Sequence, residues 1–183
     1  MAKSDLLKKS NVFLVIVLIL LCLNLINYLY SKDSNNKNYV VLDNSDNSFS
    51  ITNILPLTDE SGRQINSSKN SMVVYKEIKV INKNNKSSKY KLFLNVDNNS
   101  TIDSKFIKIL VSDSNDKVLK KYDYDEALTL NKLDNNSNSY MLLSSKLKKG
   151  ESTKFIIRLW VSTFYSINKS NEKFHGNISI NSF

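Results

Sequence analysis

Glycine, proline, histidine and cysteine are all scarce here: three, one, one and one in 183 residues. Each shortage removes a class of chemistry. Gly62, Gly150 and Gly176 stand far apart, so no glycine-rich loop is available to cradle a phosphate or dinucleotide. His175 has no second histidine to share a metal with. It also has no Gly-x-Ser-x-Gly elbow or reactive cysteine to serve as a base, so it reads as an ordinary strand residue. Cys22 lies in an apolar stretch, which leaves everything after it without a disulfide. Lipid attachment there is not expected either, because Ile19, Leu20 and Leu21 precede it where a lipoprotein cut needs a small residue. A chain of about 145 residues beyond that stretch is long enough to bury a core without covalent staples. No internal repeat is visible, and no cofactor is expected.

What is present begins with residues 12–30, VFLVIVLILLCLNLINYLY, about nineteen residues without a charged side chain. As a helix they extend about 28 Å, close to the hydrocarbon thickness of a bilayer. Lys3, Lys8 and Lys9 precede the stretch, and short basic segments stay on the cytoplasmic side. The expectation is a cytoplasmic tail over 1–11, a transmembrane helix over 12–30, a polar linker over 31–38 and an extracellular domain over 39–183. Tyr28 and Tyr30 suit the outer interface, and Ser31, Lys32 and Asp33 form a mixed-charge exit. A cleaved leader is the rival reading, but bulky residues fill the positions before most conceivable cuts, which favours a retained anchor. A type IV pilin-like leader is disfavoured, since no Glu follows a processed Gly. Asn24 and Asn27 are three apart and share one helix face, where their amides either pair with a second helix or are hydrated at the interface.

The formal net charge is +9, and taking away Lys3, Lys8, Lys9 and Asp5 leaves +7 beyond the stretch. An excess of that size favours anionic partners such as wall polymers, phospholipid headgroups or other surface proteins. Nucleic acid is not expected, because the lysines are scattered through loops and not gathered with arginine and aromatics on one element.

From residue 39 onward, short β-branched and aromatic runs alternate with turn-forming ones. Strands are expected over 39–42, 49–55, 72–81, 90–96, 106–111, 117–122, 140–143, 155–161 and 174–180, with 106–111 and 117–122 as a hairpin. Residues 57–62 read as a turn in which Gly62 takes the left-handed conformation. Residues 55–59, LPLTD, resemble a sortase signal, but the hydrophobic stretch and basic tail of such a signal do not follow, so Pro56 is read as closing an edge strand. Lys76 interrupts the alternation that Val74, Ile78 and Val80 set up. Short strands at regular spacing, without a convincing amphipathic helix, predict an all-β fold: an antiparallel sandwich preceded by one membrane helix.

Phe155, Ile157, Leu159 and Val161 share one strand face and are expected in the core. Ile156, Arg158 and Trp160 then fall on the other face, expected to be solvated. Trp160 there either anchors a partner, with Ile156 and Arg158 as further contacts, or is covered by a loop or by Phe164 and Tyr165. Acidic groups gather at Asp123, Asp125 and Glu126, and again at Asp113 and Asp116. They offer oxygen ligands or paired carboxylates, but follow no cation-loop pattern, so solvated loop charge is the expectation and no metal is assigned.

The strings 51–54 and 56–62, 78–82, 150–152, 158–161 and 174–178 together resemble membrane-anchored surface proteins of low-GC Gram-positive bacteria, distantly similar to the TasA and camelysin type of matrix-fibre subunit. The resemblance implies an exported Ig-like or jelly-roll sandwich able to self-assemble by exchanging strands, and it brings no catalytic residue. Retention of the anchor departs from those fibre subunits, which are released by cleavage. The leading expectation is a non-enzymatic, single-pass surface protein that binds, adheres or assembles in the cell envelope. The alternative is an anchored cell-wall or glycan hydrolase working through Asp123 and Asp125.

Overall fold

Every second residue of the stretch 90–94 is apolar, a period that a pleated strand converts into one dry face. In the computed structural model Tyr90, Leu92 and Leu94 are fully buried on β4 (Ser88–Val96). The structure describes residues 15–27, 39–43, 46–68, 71–119, 121–122, 127–167 and 171–183. The chain divides into two compact units, Met1–Asn38 and Tyr39–Phe183.

In the first unit residues 15–27 form a helix, α1, and carry Asn24 and Asn27, both exposed. The expected tail, the linker and the two ends of the expected span, 12–14 and 28–30, lie outside the described residues. Among the described residues no helix is long and apolar enough to cross a membrane.

The second unit consists of two five-stranded antiparallel sheets. One runs in the order β1 (Val40–Leu42), β3 (Val74–Asn82), β9 (Ser152–Val161), β5 (Ile107–Asp113), β6 (Leu128–Thr129). The other runs β2 (Ser48–Ile51), β10 (Phe174–Ser182), β4, β8 (Ser139–Leu147), β7 (Asn135–Asn136). Ile78, Val80, Ile157 and Leu159 from the first sheet and Leu92, Leu94 and Phe174 from the second belong to one fully buried cluster. Each such side chain contributes about 1.5–3 kcal/mol on leaving water. The second unit is therefore an all-β sandwich around a single core.

Consecutive strands β1 and β2 belong to different sheets, so the leading segment changes sheet between them. As a result β1 pairs only with Val80–Asn82, and the first half of β3 has a strand neighbour on one side alone among the described residues. Lys76 sits in that half, in the inward row with Val74 and Ile78. Its ammonium crosses to the Ser48 carbonyl on β2 and to the Asp46 carboxylate, 3.4 Å away. The break in alternation is thus a polar strut between the sheets at their open side.

Three expectations need correction. Residues 57–62 are not a left-handed turn: Asp59–Arg63 form a short helix, α2, whose N-cap Thr58 accepts a hydrogen bond from the Ser61 N–H. Gly62 sits inside that helix and is not among the residues with positive φ, whereas Gly150 is, at 68°. Residues 117–122 form only the first rungs of the expected hairpin, with no strand of their own among the described residues. Their described contacts with β5 are the isolated bridge of Ser112 to Val118, hydrogen bonds from the Asp113 N–H to the Lys117 carbonyl and from the Leu119 N–H to the Val111 carbonyl, and one from the Lys117 N–H to the Asp113 carboxylate. The reason is the turn before them: Asp116 takes φ 61° and its carboxylate is drawn to Arg158 instead of leading a straight return strand. Finally, β2 ends at Ile51, before Pro56 is reached.

Candidate functional site

The outer face of β9 was expected to meet water, and it does not. Ile156, Arg158 and Trp160 are 8%, 4% and 0% exposed. Over Arg158 and Trp160 the cover is the segment 57–65, built around α2, while Phe164 is 84% exposed. Four anchors lay this strap across the sheet. The Leu57 N–H donates to the Val161 carbonyl at 2.8 Å. At the start of α2, the Asp59 carboxylate lies 3.1 Å from the Lys108 ammonium, which is buried on β5 and also donates to the Ala127 carbonyl at 2.9 Å. Gly62 rests directly on the Trp160 ring, where a Cβ would fall 2.1 Å from Cε2. Last, Arg158 Nε donates to the Ile65 carbonyl at 2.7 Å. A partner seeking the Trp160 ring finds it already occupied by the chain's own helix.

Arg158 and Asp116 came from separate parts of the sequence argument, one as a partner contact and one as an acidic ligand. They are partners of each other. Arg158 Nη1 and Nη2 donate to the two Asp116 carboxylate oxygens at 2.7 and 2.9 Å, Nη1 also reaches Ser112 Oγ at 2.9 Å, and the guanidinium lies 5.4 Å from the Tyr75 ring centre. Burial pushes the Asp116 carboxyl up, but hydrogen bonds from Arg158 and Ser112 together with the Arg158 charge outweigh it and hold the carboxyl below its ordinary 3.8. A folded value below the unfolded one means that the pair's stabilisation is complete above pH 3.8 and is lost as pH falls through the lower folded value.

The two halves of this pair are not equivalent. The Arg158 side chain is 5% exposed while that of Asp116 is 56% exposed. Asp116→Ala strands a buried cation and is expected to cost about 3 kcal/mol, whereas the same change made in an Arg158→Met background, where the carboxylate has only water to lose, is expected to add about 1 kcal/mol. Urea unfolding of Asp116→Ala in both backgrounds tests the asymmetry. Equal losses contradict it.

The open side of the sandwich holds a cleft of ≈ 710 Å³ between β2 and the start of β3. Ser48, Phe49 and Ser50 form one wall, Val74, Tyr75 and Lys76 the other, with Asp97 and His175 at one end. Two of its charged groups, Lys76 and Asp46, are engaged in structure. Lys76 is the strut already described, and Asp46 accepts hydrogen bonds from the Ser48 hydroxyl and N–H at 2.6 and 3.0 Å. Those Ser48 bonds, with the Lys76 charge, hold the Asp46 carboxyl below its ordinary value. Two one-sided strands, β2 and β3, border the cleft, and the Ser68 hydroxyl meets both the N–H and the carbonyl of Tyr75 on β3, at 2.8 and 3.0 Å.

No family model, no curated protein and no solved structure matches this chain. Its site is therefore read from its own geometry. Asp113 Oδ1 accepts from the backbone N–H groups of Asn115 and Lys117 and so serves its own turn. Asp123, Asp125 and Glu126 lie outside the described residues. Among the described residues no cluster of three metal-ligating side chains occurs. The strap is what the sequence argument missed. Its signal was available: Thr58 followed by Asp59 and Glu60 is a capped, acid-led helix start.

Proposed function

We propose that this chain is a single-pass membrane-anchored surface protein whose Ig-like or jelly-roll sandwich, displayed outside the cell, binds or assembles with other envelope components. The observation that carries the reading is the uncharged stretch 12–30 with lysines on its N-terminal flank, followed after a short polar linker by a unit with its own core. The place of the ionic side chains supports a scaffold over a catalyst. Arg158, Lys108 and Lys76 each tie one segment of the sandwich to another, and their carboxylate partners are held by the same bonds. The cleft between β2 and β3 is the binding face in this reading. On the β3 wall Ser68 already holds the outward groups of Tyr75, so it is β2, paired with β10 alone among the described residues, that offers an edge to an extended segment of an envelope partner, or of a second copy, which adds as a strand.

Alkaline carbonate extraction and protease shaving test the topology together. The full-length chain is expected to stay with the membrane pellet in carbonate, and its β unit to be removed by protease added to intact cells. Release into the carbonate supernatant, or protection from protease until the cells are lysed, overturns the reading.

A further inference from the structure

One end of the sandwich is strongly basic, and it is the end at which the chain enters from residue 38. The turn after β3 carries Lys83 and Lys86, and the turn after β8 carries Lys148 and Lys149, all exposed. These turns are fastened side by side. The buried Asn82 amide donates to the carbonyls of Lys86, Leu147 and Lys148 at 2.9, 3.1 and 2.8 Å, and the Asn82 N–H donates to Glu151. Tyr39 is at the same place, its carbonyl accepting from the Lys83 N–H at 3.2 Å.

The strands leaving this end add like charge directly opposite like charge. Lys89 on β4 faces Lys146 on β8, and Lys79 on β3 faces Lys154 on β9. Such cross-strand pairs work against the fold unless something anionic lies over them. The nearby carboxylates supply it only at Lys79, and leave the Lys89–Lys146 pair uncovered. Asp43 pairs with Lys79 at 2.7 Å and Glu151 accepts from the Lys148 N–H at 2.6 Å. Asp113 and Asp116 are held by their own turn and by Arg158. Two aromatic side chains border the basic end. Tyr39 is 43% exposed, and Phe183 is 65% exposed with its N–H on the Lys89 carbonyl and the Lys91 ammonium 5.8 Å from its ring centre.

We infer that this end is a docking surface for anionic phospholipid headgroups, on which the sandwich sits with Lys83, Lys86, Lys148 and Lys149 toward the bilayer. The inference rests on the membrane-anchored reading and adds to it a face and a lipid chemistry. A lipid surface fits better than a wall polymer because the exposed rings of Tyr39 and Phe183 stand beside the lysines, and an apolar ring gains from an acyl boundary that a polymer does not offer. Lysines on headgroup phosphates with tyrosine and phenylalanine beside them are the combination that an interface favours.

Amine footprinting of the full-length chain tests this. The chain is reconstituted in phosphatidylcholine vesicles with or without phosphatidylglycerol, acetylated with a membrane-impermeant reagent, and read lysine by lysine by mass spectrometry. With phosphatidylglycerol, Lys83, Lys86, Lys148 and Lys149 are expected to react about fivefold more slowly, while Lys105 and Lys173 at the opposite end do not change. The protection is expected to vanish at about 1 M salt, where screening falls to about 3 Å. Equal labelling in both vesicles overturns the inference. So does protection of these lysines by soluble poly(glycerol phosphate) in phosphatidylcholine vesicles with none from phosphatidylglycerol, which assigns the surface to a wall polymer. Failure of the anchor is a separate readout: a chain that leaves the vesicles in carbonate, yet shows the lipid-dependent protection before extraction, disproves the span and leaves the docking surface standing.

Discussion

Gly176→Ala is expected to lower the stability of the β unit by about 4 kcal/mol, the largest loss from any single added methyl group in the described chain. Gly176 is buried in β10, between β2 and β4, and is the cross-strand partner of Phe49 and of Val96. A Cβ placed there falls 2.1 Å from the Asn95 carbonyl oxygen and 2.5 Å from Phe49 Cζ. A side-chain tip can swing away, but a carbonyl in the middle of a sheet moves only if its strand moves. The ring has little room either, because Phe49 stacks on Phe174 at 5.8 Å between centroids. Relief therefore requires β10 to separate locally from β4, with loss of ladder hydrogen bonds and of packing at once. Chemical denaturation with the soluble wild-type unit as reference measures the loss, and a difference under 1 kcal/mol would show that the strands shift more freely than this geometry permits.

Gly62→Ala comes second, at about 3 kcal/mol, for a different reason. Here the obstacle is an indole. A Cβ on Gly62 would lie 2.1, 2.4 and 2.4 Å from Cε2, Cδ2 and Cζ2 of Trp160, inside the ring's own volume. The ring is fully buried and rigid, so α2 must rise off the sheet, pulling on the Asp59–Lys108 and Ile65–Arg158 contacts that flank it. A second substitution separates this cause from a loss of helix propensity, which alanine in any case improves. Trp160→Leu alone is expected to be destabilising through the void it leaves, but in its presence the added cost of Gly62→Ala should fall to near zero. A double-mutant cycle with no coupling between the two positions contradicts direct contact.

How much of this was legible beforehand depended on the range of the cause. Strict alternation in 90–96 and 155–161 gave the core rows of β4 and β9, because a pleat needs only near neighbours to decide which side is dry. Lys76 was legible as an anomaly, a charge in an inward row, though its destination on Ser48 was not. Trp160 was equally visible as an apolar ring on a face expected to be polar. Its cover was missed because Gly62 invites a turn reading, and the reason for that glycine lies about a hundred residues away in the chain. The Arg158–Asp116 pair is of the same kind. Each residue had a plausible solvated role alone, and only the sheet brings them together. The grouping of the basic turns depends on Asn82 joining two loops that the sequence keeps far apart.

The change of sheet by the leading segment also bears on how the domain carries load. Tension entering at residue 39 first meets three residue pairs between β1 and β3 and the Asp43–Lys79 contact. Those fail as a zipper does, one rung at a time, long before the ten-residue β9 is stressed. Pulling on residue 39 therefore unseats β1 while the rest of the core persists, and bares the Val80–Asn82 edge of β3.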